Sequence, residues 1–184
     1  LINYNGNERK VHLQAYGRNA RFVNGGTILT NTTWDATLPW VLLRPVSVAS
    51  GATLSIAAGT QVYSNANAAL LVNGSLRCLG QPHSPVIFRG DRLDAPFSTY
   101  PGGWPGILLD AGSTNNLLQH THILNAYQAL VCAGQPQAVP AKLRLESCII
   151  QNAYDIGLMG INTSIAASNC LIAQAGNNGQ PGTG

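Results

Sequence analysis

Ala52-Thr53-Leu54-Ser55-Ile56-Ala57-Ala58-Gly59-Thr60-Gln61-Val62-Tyr63 joins two short alternating apolar runs through a glycine turn. The run Gly74-Ser75-Leu76-Arg77-Cys78 repeats its first half, with Leu76 in the place of Leu54. The same interval separates Cys148-Ile149-Ile150-Gln151-Asn152-Ala153 from Cys170-Leu171-Ile172-Ala173-Gln174-Ala175. A fixed period of about 22 residues indicates stacked supersecondary units, each of which buries its apolar face against its neighbours.

Each unit contains two or three short strands broken by Gly, Asn or Pro, with no helical stretch. This pattern predicts an all-β fold, a right-handed parallel β-helix (solenoid) of about five coils. We expect residues 34–176 to form the β-helix, with Ile56, Leu76, Val86, Ile123, Ile150 and Ile172 pointing into its core. Residues 1–33 are predicted to be an N-terminal cap or the end of a preceding domain, because an uncapped coil exposes its strand edge. Residues 177–184 are predicted to be a flexible C-terminal loop at the end of a fragment.

The composition favours a buried β-scaffold and excludes several classes of protein. Hydrophobic residues make up 45% of the chain and charged residues only 9%. No apolar run approaches the ~18 residues of a membrane-spanning helix, so the apolar side chains belong in sheets covered on both faces. The net charge is +3, and the basic residues are scattered as solvated surface charge, without the basic stripe that nucleic-acid binding requires.

The four cysteines do not form a metal-binding pattern. Cys78, Cys132, Cys148 and Cys170 include no CxxC spacing, so a zinc site is not expected. The sequence predicts no other metal or cofactor. Cys148 and Cys170 have the same phase in the repeat, so stacked coils place them about 4.8 Å apart. A disulfide there is geometrically possible, but buried free thiols acting as small apolar residues are the preferred interpretation.

An insertion at residues 89–106 breaks the repeat and gathers the candidate binding residues. A loop of this length without its own repeat is typical of functional segments. Its charged candidates are Asp91, Arg92 and Asp94, which form either a small binding site or ion pairs that fold the loop back on a coil. Its aromatic candidates are Tyr100 and Trp104, with Phe97 beside them. These rings form either a platform for the apolar faces of sugars or, for Trp104, a plug packed over the coil.

Two other groups of polar residues have both a functional and a structural interpretation. His120 and His122 share one face of a strand, a spacing that suits a metal or an acid–base pair, although no third ligand is evident. Asn125, Asn152 and Gln174 each follow the last strand of a predicted coil. We interpret them as stacked amides that satisfy the backbone at the turns.

Several runs together resemble a known group of proteins. They are Ser50–Thr60, Leu71–Leu76, Phe88–Leu93 and Pro101–Ile107. These runs resemble the right-handed parallel β-helix domains of secreted and cell-surface proteins of Bacteroidetes-type bacteria, over roughly residues 31–176. The resemblance implies secretion or a cell-surface location but no particular reaction. The broader pectate-lyase-like fold includes polysaccharide lyases and hydrolases, and this likeness of fold says little about function.

Two hypotheses about function follow. The first, which we favour, is a non-catalytic structural or adhesive surface module whose partner is a polysaccharide or cell-surface glycan. The second is a polysaccharide lyase or glycoside hydrolase, or a part of one. Such enzymes need paired carboxylates, or acids that hold Ca²⁺ beside a base, and the sequence contains only seven acids. No catalytic residue is therefore assigned.

Overall fold

The chain forms a three-sided parallel β-helix, as predicted. The computed structural model describes residues 2–4, 7–9, 19–135 and 140–176. Within the solenoid, each strand pairs in parallel with the corresponding strands of the coils above and below it. These pairings form three ladders that run along the axis. No helix in these described ranges is long and apolar enough to cross a membrane.

We name the three ladders faces A, B and C. Face A contains the first part of β3 and of β5, followed by β7, β10, β13, β16 and β19, and face B contains the second part of β3 and of β5, followed by β8, β11, β14 and β17. Face C contains β4, β6, β9, β12, β15 and β18. An antiparallel pair, β1 with β2, lies near the N-terminus. The strand bounds are Ile2–Tyr4 (β1), Asn7–Arg9 (β2), Arg21–Ile28 (β3), Thr32–Trp34 (β4), Trp40–Val48 (β5), Thr53–Ala57 (β6), Gln61–Ser64 (β7), Leu70–Val72 (β8), Ser75–Leu79 (β9), Val86–Gly90 (β10), Ile107–Leu109 (β11), Asn116–Gln119 (β12), Thr121–Leu124 (β13), Gln128–Ala133 (β14), Leu143–Glu146 (β15), Ile149–Ala153 (β16), Ile156–Ile161 (β17), Ile165–Ser168 (β18) and Leu171–Ala175 (β19).

The solenoid has about seven turns, not the five predicted. One difference arises at the start, where β3 and β4 precede the predicted first coil and already pair in parallel with β5 and β6. The other arises at residues 40–63, whose consecutive apolar runs predict a single coil. Because β5 bends, its start pairs with β7 on face A while its end pairs with β8 on face B. This stretch therefore spans the whole of one coil and the beginning of the next. The loop predicted at residues 177–184 lies outside the described residues.

The period of the sequence sets the register between coils. Leu54 and Leu76 are direct partners across β6 and β9, as predicted. On face A, one inward row runs through Val62, Phe88, Ile123 and Ile150, each paired with the next. These side chains are at most 1% exposed. The period therefore stacks apolar side chains on one another in the core.

One predicted inward residue is not fully buried, and one interpretation of a charged residue is wrong. Ile172 pairs with Ile150 and so lies on the inward row, but it is 43% exposed, because it lies on the last described coil and no further described coil covers it. Lys142, interpreted as surface charge, is 1% exposed. Its ammonium group donates to the carbonyl oxygens of Asp110 (2.8 Å), Ala111 (2.9 Å) and Ala133. Buried cations need such compensation, and here backbone carbonyls provide it.

The cysteines are free thiols in the structure. Cys148 and Cys170 lie on adjacent coils as predicted, with the Cys148 backbone N–H donating to Cys170 Sγ at 3.4 Å. Burial raises the pKa of the Cys148 thiol to about 11 and raises the pKa of Cys78 still further. Both therefore remain protonated at neutral pH, which is consistent with a packing role.

Candidate functional site

The insertion between β10 and β11 is fastened to face A by the predicted amide ladder. Asn125 and Asn152 adopt left-handed backbone conformations, with φ of 60° and 59°, at the ends of β13 and β16. Asn152 Nδ2 donates to Asn125 Oδ1 at 2.9 Å and to Thr99 O at 2.7 Å. Asn125 Nδ2 donates to Ser98 O at 2.7 Å. The stacked asparagines therefore hold the insertion, whereas Gln174 accepts a bond from Gln151 instead.

Trp104 lies in the core and not on the surface. Its side chain is 0% exposed, its ring stacks on Phe88 with centroids 6.3 Å apart, and its Nε1–H donates to Leu124 O at 2.9 Å. The neighbouring Gly106 has φ of +114°, and a Cβ there would lie 1.7 Å from Gln128 O. This segment therefore follows the coil closely. Of the two arrangements considered for Trp104, the structure shows the plug packed over the coil. A ligand at the surface does not reach its ring.

The tip of the insertion brings together the other charged and aromatic candidates. Arg92 and Asp94 form an exposed two-point ion pair, with N–O distances of 3.1 and 2.7 Å. The Arg92 guanidinium lies 3.6 Å from the centroid of the Phe97 ring, and Phe97 meets Tyr100 edge-on at 5.8 Å. The hydrogen bond from Arg92 lowers the pKa of Asp94. Arg92 covers one face of Phe97, so Tyr100, 52% exposed, is the more accessible ring.

Asp91 lies apart from this ion pair, at the edge of a groove that the sequence did not reveal. The groove has a volume of about 470 Å³ and runs over the outer side of face A on the first coils. Phe22, Val41 and Tyr63 line its floor, and Asp91 and Leu93 of the insertion line its edge. Phe22 pairs with Val41 and Val41 with Tyr63, so these three side chains form one outward row. The repeat in the sequence indicates part of this row, because Tyr63 follows Val41 by one period.

The groove combines an apolar floor with polar atoms at its edge. Phe22 is 65% exposed and lies on β3, the first strand of face A. The Tyr63 hydroxyl donates to Gln61 Oε1, and Asp91 Oδ2 accepts from Asn65 Nδ2 at 3.2 Å. Each acceptor group retains further lone pairs for a ligand. An exposed aromatic floor with a polar edge suits a ligand that has both apolar and hydroxyl-bearing surfaces.

The remaining titratable side chains do not converge on a metal or catalytic centre within the described ranges. His122 lies on β13, where burial and then the nearby His120 lower its pKa. In the described part of the chain, no group of three or more His, Cys, Asp and Glu side chains is arranged to hold a metal ion. No cofactor site is assigned.

Comparisons with known proteins identify no relative of this chain, so the fold is defined by the strand pairing alone. No protein-family model, curated protein or solved structure gave a significant match to this chain. The resemblance to β-helix domains of Bacteroidetes-type surface proteins therefore stays a prediction.

An ion pair beside the groove yields a prediction about pH. Hydrogen bonds from the Thr37 hydroxyl and backbone N–H, then from Arg21, lower the pKa of Asp35 from 3.8 to about 2. A carboxyl group with a lowered folded-state pKa stabilises the fold above its unfolded-state pKa, and this contribution is lost as the pH falls through the folded-state value. We expect the difference in unfolding free energy between wild type and Asp35→Asn to shrink from about pH 4 to about pH 2. Denaturant unfolding over this range measures it, and a constant difference would contradict the assignment.

Proposed function

We propose that this chain is a non-catalytic structural and adhesive β-helix module that binds glycan in the groove formed by Phe22, Val41, Tyr63, Asp91 and Leu93. The observation that carries the proposal is the open aromatic groove on an otherwise regular scaffold. Parallel coils hold its floor rigidly, so little conformational entropy is lost when a ligand binds.

The chemistry of the groove favours a sugar over a purely apolar ligand. The rings of Phe22 and Tyr63 offer flat apolar surfaces to the C–H faces of a pyranose. Gln61 and Asp91 offer hydrogen-bond acceptors at the edge to its hydroxyl groups. The floor also extends over three successive coils, which gives a chain molecule room to lie along the axis.

The arrangement of the carboxylates favours binding over catalysis. Most of those described already serve a local structural contact: Asp35 pairs with Arg21, Asp94 with Arg92, and Asp155 accepts from Gln128. Glu146 accepts from Gln119 at 2.7 Å. Glycoside hydrolysis requires two carboxyl groups facing one bond across a cleft. Asp91 is the only acidic side chain among the residues that line this groove.

A location outside the cell is part of the same proposal. It is supported by the resemblance given above. A glycan-binding module of this kind belongs in a secreted or cell-surface protein.

Replacing Tyr63 tests the groove. We expect Tyr63→Ala to weaken glycan binding at least about fivefold, because a central aromatic contact is lost. Binding is measured on a glycan array and then by titration calorimetry with the best ligand. Tyr127→Ala is the matched control, since Tyr127 is exposed but lies outside the groove.

Two results would contradict this proposal. If Tyr100→Ala weakens binding while Tyr63→Ala does not, the glycan binds at the tip of the insertion. If the protein cleaves a polysaccharide and Asp91→Ala abolishes the cleavage, the chain is an enzyme.

A further inference from the structure

A second cleft lies on face A, beside residues 98–99 of the insertion. It has a volume of about 420 Å³, and its walls are mainly amides, hydroxyls and one guanidinium. The lining residues are Arg89, Ser98, Thr99, Leu124, Asn125, Gln151, Asn152 and Gln174. No acidic side chain is among them. The cleft is therefore polar and carries a single positive charge.

The charge of Arg89 is not neutralised by the fold. The ion pairs found among the described residues join Arg21 to Asp35, Arg92 to Asp94 and Arg144 to Glu146, and none includes Arg89. Arg89 Nη2 donates to Ser98 O at 2.8 Å, whereas its Nε is buried with no hydrogen-bond partner. Arg89 lines the cleft, and a partly buried charge without a counter-charge is costly. An anion bound in the cleft beside the guanidinium would lower that cost.

The geometry points to an anion-binding subsite at Arg89 that accepts a carboxylate or sulfate group of the bound glycan, so that the ligand is an acidic polysaccharide. This inference rests on the proposed function, because it extends the groove of the preceding section. Guanidinium groups bind such planar or tetrahedral oxyanions through paired charge-assisted hydrogen bonds.

The register of face A places the subsite next to the groove. Arg89 on β10 is the direct partner of Tyr63 on β7, so the two side chains lie one coil apart on the same outward row, about 4.8 Å along the axis. One glycan chain lying along the axis therefore contacts the aromatic floor and the guanidinium together. Gln174 uses Oε1 to accept from Gln151, and its Nε2 is a second donor at the far end of the cleft.

The test compares charged and neutral forms of one ligand. The probes are a glucuronate-containing oligosaccharide, its carboxyl-reduced neutral counterpart, and that reduced counterpart carrying one sulfate. Calorimetry on wild type should show the acidic form binding at least about tenfold more tightly than the reduced form. Comparison with the sulfated probe shows which of the two anions the site prefers.

The variants separate the effect of the Arg89 guanidinium on binding from the effect of positive charge elsewhere on the protein. Arg89→Gln should abolish the preference for the acidic form while binding of the reduced form persists. Arg144→Gln removes the same charge from face C and should keep the preference. Arg89→Lys keeps the charge and should retain part of the preference, and thermal melting of each variant verifies that the fold is intact.

The two possible failures are distinguishable. If wild type binds the reduced form as tightly as both charged forms, or if the preference is unchanged in Arg89→Gln, the anion subsite is overturned and glycan binding stays in place. No binding of any probe or array glycan overturns the proposed function, and the subsite with it.

Discussion

Trp104→Ala is expected to destabilise the protein by about 3–5 kcal/mol, the range seen when a large aromatic side chain is deleted from a packed core. Trp104 is the largest fully buried side chain described. The variant loses the contact with Phe88 and leaves Leu124 O without its indole donor. Denaturant unfolding followed by circular dichroism measures the change in free energy.

Trp104 also joins the insertion to the scaffold, so its loss should have a local consequence. The backbone on either side follows the turn between β13 and β14, with Gly103 N donating to Asn125 O and Tyr127 N donating to Trp104 O. Hydrogen exchange should therefore increase first in residues 97–106. Tyr100→Ala, an exposed change in the same segment, is the control and should cost less than about 0.5 kcal/mol. Equal losses for the two variants would show that Trp104 is not a core residue.

Lys142→Met is expected to cost about 2–4 kcal/mol, because methionine keeps the length of the buried side chain but leaves three carbonyl oxygens without their charged donor. Those oxygens belong to Asp110, Ala111 and Ala133, on two successive coils. Lys142 therefore links two successive coils at the corner between faces B and C. Chemical denaturation at neutral pH gives the magnitude.

Two variants sharpen this test. Arg144→Met removes an exposed cation two residues away and should change stability by less than about 0.5 kcal/mol. Lys142→Arg keeps the charge but brings a larger, planar head group into a cage sized for an ammonium, so it should be intermediate. A Lys142→Met variant as stable as wild type would show that the carbonyl contacts contribute nothing net.

The repeat in the sequence was sufficient to predict the fold and much of its register. Because side chains of stacked parallel strands align coil by coil, residues one period apart lie on adjacent coils, as Leu54 does with Leu76 and Cys148 with Cys170. The alternation of apolar residues also identified the inward side of most strands. The predicted count of coils was too low for two reasons. Strands β3 and β4 already belong to the solenoid, and β5, with Pro45 near its bend, contributes to both face A and face B.

The insertion was recognised from sequence as the place where charge and aromatic residues gather, but its internal arrangement was not. Local spacing left a binding site and ion pairs as alternatives for Asp91, Arg92 and Asp94, and the structure joins Arg92 to Asp94. It did not distinguish a surface ring from a buried one, so Tyr100 and Trp104 were both candidates. Burial depends on which coil a loop folds against, and that contact is not encoded in the spacing of the loop's own residues.

By itself the sequence determined the class of fold, the stacking partners and the inward rows, since these follow from one period repeated along the chain. Only the tertiary structure decided the groove, the cleft and the cage around Lys142. Phe22, Tyr63 and Asp91 belong to three different coils, and Lys142 is held by carbonyl oxygens that carry no side-chain signature. Sites of this kind form between coils, where the contacts depend on how corners and insertions pack and not on the pattern that repeats.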